Sequence, residues 1–156
     1  MEELILTDEQ AQYLIKILKQ ILRKYKVDLS PGQSGNILLR SFDGHYEFIL
    51  NYSTSKFRND KISIHIREKE TNLSLVRVNI DPNGFHNNSD GVIRGNRILI
   101  FSNEEFCNKN DGFTHVKAYP LPSCFTNPSD LEQVFLDFLM YINVQREGKI
   151  EFADLV

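Results

Sequence analysis

Ile37-Leu38-Leu39-Arg40-Ser41-Phe42-Asp43-Gly44-His45-Tyr46-Glu47-Phe48-Ile49-Leu50-Asn51-Tyr52 is the stretch on which the fold turns. Two apolar runs, Ile37–Phe42 and Tyr46–Tyr52, flank Asp43-Gly44, a dipeptide that favours the tight turn of a β-hairpin. Downstream, Lys61–Glu68 alternates Ile62, Ile64 and Ile66 with Ser63, His65 and Arg67, the period of a half-buried strand. Leu73–Ile80 alternates less cleanly, with Leu73, Leu75 and Arg77 against Ser74, Val76, Val78 and Ile80. The break at Glu70-Thr71-Asn72 joins these two as a second hairpin. Asp81-Pro82-Asn83-Gly84 ends that unit with a turn. Arg97–Phe101 and His115–Tyr119 add two strands, and Lys149–Phe152 a short edge strand.

Helices bracket the strands. Thr7-Asp8-Glu9-Gln10 is a capping box with acids in the first turn. Tyr13, Leu14, Ile17, Leu18, Ile21, Leu22 and Tyr25 recur at helical spacing, predicting one helix that Ser30-Pro31-Gly32 stops. Its other side carries Lys16, Lys19 and Arg23, the pattern of a solvated face. Ser129-Asp130-Leu131-Glu132 is a second capping box. It opens a helix with the stripe Leu131, Val134, Phe135, Phe138, Leu139 and Ile142. The expectation is one α+β domain over residues 1–156, a mainly antiparallel sheet of about five or six strands flanked by an N-terminal and a C-terminal amphipathic helix.

The composition is that of a folded protein, with 41% hydrophobic, 25% charged and 11% aromatic residues. A net charge of −3 argues against a general nucleic-acid binder. The charge is uneven: residues 102–156 hold nine acids against four bases. No long apolar run predicts a membrane span, and no basic-then-apolar start predicts a secretory signal. The cytoplasm of a bacterial host is the expected location, where cysteines stay reduced.

His86, Cys107, His115 and Cys124 fall within one loop-like window, spaced by 21, 8 and 9 residues. Zinc takes thiolate and imidazole ligands tetrahedrally, so these four would make a complete structural Cys2His2 site. A catalytic zinc needs an open position and a base, for which Asp111 or Glu105 would serve. The alternative is that both cysteines are small semi-buried hydrophobes beside Phe106 and Phe125. Either cysteine with His115 would form a thiolate–imidazole dyad. His45, Glu47, His65 and Arg67 would form a phosphodiester-cleaving set. The same alternation is what the polar face of any half-solvated sheet shows. The aromatics Phe42, Tyr46, Phe48 and Tyr52 near Arg40 suit base stacking or, more simply, packing against the helices. No phosphate loop, hydrolase elbow, zinc-protease helix or catalytic triad signature occurs, and no catalytic residue is assigned.

The order LSLVRVNI (73–80), GFHNNSDG (84–91), RILIF (97–101) and HVKAYPLP (115–122), followed by an amphipathic helix, resembles an uncharacterised domain family of bacteria and their prophages. There the loop often reads His-x-Asn-Pro-Asp-Gly. This chain matches His86, Asp90 and Gly91, carries Ser89 for the proline, and has Arg97-Ile98-Leu99 where a His-x-His strand often follows. The resemblance implies a mobile-element setting. In size and style the chain is also similar to type II anti-CRISPR proteins. The expected function is therefore stoichiometric inhibition of a host defence complex such as Cas9. Glu132, Asp137, Glu147 and Glu151 would contact a positively charged effector channel. Structural zinc is the expected cofactor, and direct nucleic-acid contact is not expected. The alternative is a metal-dependent or phosphodiester-cleaving enzyme using the His86–Cys124 window.

Overall fold

A computed structural model describes residues 4–153 of the chain. Helix α1 (Asp8–Lys16) is followed by two short strands, β1 (Lys19–Ile21) and β2 (Tyr25–Val27). Two long hairpins follow, β3 (Ser34–Ser41) with β4 (Glu47–Thr54), and β5 (Ile62–Glu68) with β6 (Ser74–Ile80). A small hairpin, β7 (Phe85–Asn88) and β8 (Gly91–Arg94), precedes β9 (Arg97–Phe101), α2 (Asn103–Lys109) and β10 (Val116–Pro120). Helix α3 (Leu131–Tyr141) leads to β11 (Val144–Gln145) and β12 (Ile150–Phe152).

Eight strands form one sheet in the order β10-β9-β6-β5-β4-β3-β1-β11, antiparallel except where β11 joins β1. The hairpin β7–β8 and the parallel pair β2–β12 stand apart from it. The α+β expectation holds. The sheet is larger than the five or six strands expected, and a third helix lies between β9 and β10.

The Asp43-Gly44 turn forms as its chemistry requires. Gly44 takes φ +78°, and Oδ1 of Asp43 accepts from the Ser41 hydroxyl and the His45 N–H. Alternate residues of β3, β4 and β5 then face inward, with Ile37, Leu39, Phe48, Leu50, Ile64 and Ile66 fully buried. In β6 the pairing jumps from Ile66↔Val76 to Arg67↔Ser74. Leu75 is thus an extra residue, and it and Val76 both point into the core. That bulge is why the alternation of residues 73–80 is imperfect.

Helices α1 and α3 cover this apolar side. Tyr13 of α1 meets Tyr46 edge-on at 6.2 Å between ring centres, and Phe135 of α3 meets Tyr52 at 5.6 Å. The stripe Val134, Phe135, Phe138, Leu139 and Ile142 is wholly buried, each side chain contributing about 1.5–3 kcal/mol. The cap of α3 is Asp130, whose carboxylate accepts from the Gln133 N–H, one residue later than the expected Ser129. The capping box of α1 forms as expected, with Thr7 and Gln10 exchanging side-chain bonds.

The N-terminal helix is shorter than predicted. It ends at Lys16, with Ile17 already extended at ψ 148°. Lys19, expected on a solvated face, is fully buried. Its ammonium donates to the carbonyls of Ile15, Ile17 and Ile142. Lys19 and Ile21 point in while Leu18 and Leu22 point out, so the chain runs on as a strand. No helix among the described residues is long and apolar enough to cross a membrane.

Candidate functional site

The side of the sheet away from α1 and α3 is polar. Cross-strand register sets Asn36, Asn51, His65 and Arg77 in one row across β3, β4, β5 and β6. Ser34, Ser53, Ser63 and Asn79 make the row on one side, and Arg67 lies on the other. A shallow hollow of about 390 Å³ opens over the first two rows. Neither Arg67 nor Arg77 forms an ion pair with a described carboxylate, although six other pairs do form. The Arg67 guanidinium bonds Asn72, and its Nε is buried without a partner.

His65 sits between these cations. Burial, then the charges of Arg77 and Arg67, pushes its imidazole down to about 4, so it is neutral at pH 7. A neutral Nδ1 can accept, and Nη2 of Arg77 lies 3.5 Å from it. Burial also lowers Arg77 from its ordinary value. Glu47 is spent on Arg40 and Lys69, and His45 lies in the exposed turn beside Asp43. The β4 partner of His65 is Asn51, four residues and roughly 13 Å along the strand from Glu47. The four-residue phosphodiester set is therefore not assembled; His65 and Arg67 share the outer face without it. Of the aromatics, Phe48 and Tyr52 are core residues, and Phe42 is half-exposed in the turn.

At its β9–β10 end this face is walled by the small hairpin. The Asn88 side chain donates to the Ala118 carbonyl and accepts from the Ala118 N–H, both at 2.9 Å, as a neighbouring strand's peptide would. The hairpin tip is held by Glu105 of α2, whose buried carboxylate accepts from the N–H and hydroxyl of Ser89. Ser89 thus supplies two donors that a proline would lack. Lys109 donates to the Asn87 carbonyl, and Lys117 pairs with Asp90. Sequence reasoning left residues 84–91 as a loop and missed α2. The signal was Ser102 three residues before Glu105, a capping spacing that Ser102 fulfils by accepting from the Glu105 N–H.

His86 points inward from β7, and His115 precedes β10; both line a second hollow of about 310 Å³ beside Arg77 and Leu99. Burial, then Lys109 and Arg97, holds His86 below the ordinary imidazole range, opposed by Glu105. The loop before His115 is built by Asp111, whose carboxylate accepts from the N–H groups of Phe113 and Thr114 and from the Thr114 hydroxyl. Those bonds hold Asp111 down to about 2. Nδ1 of His115 donates to the Phe113 carbonyl, leaving Nε2 toward the hollow.

Of the four zinc ligands expected, His86 and His115 line this hollow. Cys107 is exposed on α2, and Cys124 is exposed in the loop before α3. No three His, Cys, Asp or Glu side chains gather with metal-binding geometry among the described residues. The helix α2 separates Cys107 from the hairpin position that would have brought it to His115. Of the acids expected to contact a partner, Glu132 and Asp137 are five positions apart on α3, about 140° around its axis. Asp137 accepts from Gln133. Glu147 and Glu151 are exposed in the tail. One helix face therefore does not present Glu132 and Asp137 together.

No curated protein and no solved structure matches the chain. A model of a family of unknown function, DUF6978, matches residues 6–144, and the chain belongs to that family.

Proposed function

We propose that this protein acts by binding, in stoichiometric amounts, through the polar outer face of its sheet. The observation that carries this is the row Asn36–Asn51–His65–Arg77 with Arg67 beside it: a flat array of donors and two cations that no described carboxylate neutralises. Such a surface suits an anionic partner surface, where charge complementarity raises association rate and specificity. The likeness to proteins of bacteria and prophages supports a host defence complex as the partner, with Cas9 the first to try. An effector of that class carries bound guide RNA, whose backbone is anionic.

A pull-down against a panel of defence complexes tests this, using the wild type, Asn51→Glu with Arg67→Glu, and Glu147→Lys with Glu151→Lys. The sheet-face variant is expected to lose its partner, and the tail variant to keep it. Loss in the tail variant alone would move the contact to the exposed acids. Inhibition should scale with effector concentration; full inactivation by catalytic amounts would instead support phosphodiester cleavage or another enzymatic action.

A further inference from the structure

The hollow beside the outer face gathers polar groups whose hydrogen-bonding capacity is unspent. Its walls are Arg77 and Asn79 on β6, His86 on β7, and Phe113, Thr114 and His115 before β10, around about 310 Å³. Nε2 of His86 and Nε2 of His115 are buried and meet no partner. Arg77 meets only the neutral His65 at 3.5 Å. Unmet buried groups are costly, so a ligand that meets several of them together gains what the free fold forgoes.

The chemistry of the walls selects that ligand. Arg77 has no acidic partner among the described residues, and the charges of Lys109 and Arg97 act on His86 against the single carboxylate of Glu105. A positive surround disfavours a metal cation and favours an anion. The Arg77 fork matches an oxyanion with two or three oxygens. Nδ1 of His115 is already bonded to the Phe113 carbonyl, so Nε2 is the ring atom left for a ligand. A phosphate monoester brings three oxygens to several of these wall groups at once, where a carboxylate brings two. Phe113, 73% exposed, presents a ring at the mouth for the group that the phosphate carries.

We propose that the hollow between Arg77, Asn79, His86 and His115 is a binding site for the phosphate group of a nucleotide or other phosphate ester. It shares Arg77 with the proposed partner face, but the two are read by separate experiments: the pull-down can succeed while phosphate fails to bind, and the reverse.

The test follows the imidazole nitrogen resonances of the full chain by NMR during titration with inorganic phosphate, a nucleoside monophosphate and a short single-stranded oligonucleotide. The signals of His86 and His115 should shift and saturate with at least one of these. Arg77→Gln should weaken that binding by about tenfold or more, the loss expected when a charge-assisted bond is removed. If Arg77→Gln does not fold, Arg77→Lys and His115→Gln carry the same expectation. Equal affinity for all three ligands would assign the site to phosphate itself. Tighter binding of the monophosphate would assign it to a nucleotide, and tighter binding of the oligonucleotide to a strand backbone. No saturable shift of either histidine with any ligand, or unchanged affinity in the folded arginine and histidine variants, would overturn the proposal.

Discussion

Lys19 opens the strand that follows the N-terminal helix, which has already ended at Lys16. Its ammonium is enclosed by three carbonyls, 2.7–3.0 Å away, and lies 5.0 Å from the centre of the Phe48 ring. Burial pushes it down to about 7 from an ordinary 10.5. Between those values the unfolded chain holds a proton that the folded protein releases, so stability should rise as pH increases from about 7 toward 10.5. Urea denaturation across that range should show the rise in the wild type and a flatter profile in Lys19→Met. At pH 7 the same substitution strands the carbonyls of Ile15, Ile17 and Ile142 and should cost about 1–3 kcal/mol. A residue of this kind defeats pattern analysis: Leu14, Ile17, Leu18 and Ile21 do fit a helix. The bond that buries Lys19 is to Ile142, 123 residues away, which no local pattern reveals.

Local pattern determined most elements well. The Asp43-Gly44 hairpin, the Ile62–Ile66 alternation, the α1 capping box and the α3 stripe all appear where their chemistry places them, because each depends on near neighbours in sequence. Elements that depend on distant partners were hidden. The hairpin β7–β8 is fixed by partners distant in sequence: Glu105 holds Ser89, and the Ala118 backbone pairs with the Asn88 side chain. Glu105 is 1% exposed, so its carboxylate has no water to fall back on. Glu105→Ala should destabilise the protein by about 2–3 kcal/mol, the worth of bonds to a buried charge. Hydrogen exchange should then rise first over residues 85–94. Uniform exchange across the sheet would mean that the hairpin is not separately tethered.

Across the whole molecule, the candidate site was legible only in part. His65 and Arg67 were visible as the polar side of an alternating strand, and His86 and His115 as residues of one window. Their relation to Arg77 was not, since it arises from pairing β6 with both β5 and β9. The cysteines were drawn into that window by proximity in sequence, while in space both are exposed. A zinc centre would tie three loop regions together and contribute directly to folding. Exposed thiols make no such tie, so Cys107→Ser and Cys124→Ser should each change stability by less than about 0.5 kcal/mol. A zinc equivalent by elemental analysis that is lost with stability in Cys107→Ser would restore the four-ligand centre.

The two parallel pairs bear on how the chain is made. β1 is completed by residues 144–145 and β2 by residues 150–152, with Asn143 and Lys149 adding side-chain bonds to the carbonyls of Lys16 and Ile21. A ribosome delivers each partner 125 residues after the strand it pairs with, Val144 after Lys19 and Ile150 after Tyr25. The first strands therefore emerge with these pairing edges open and wait for those residues, some seconds at about 5–20 residues per second. The central hairpins can form meanwhile, before the seam of β1 with β11 and β2 with β12 closes. Until then the nascent chain offers an unpaired edge, a ready template for pairing with another chain.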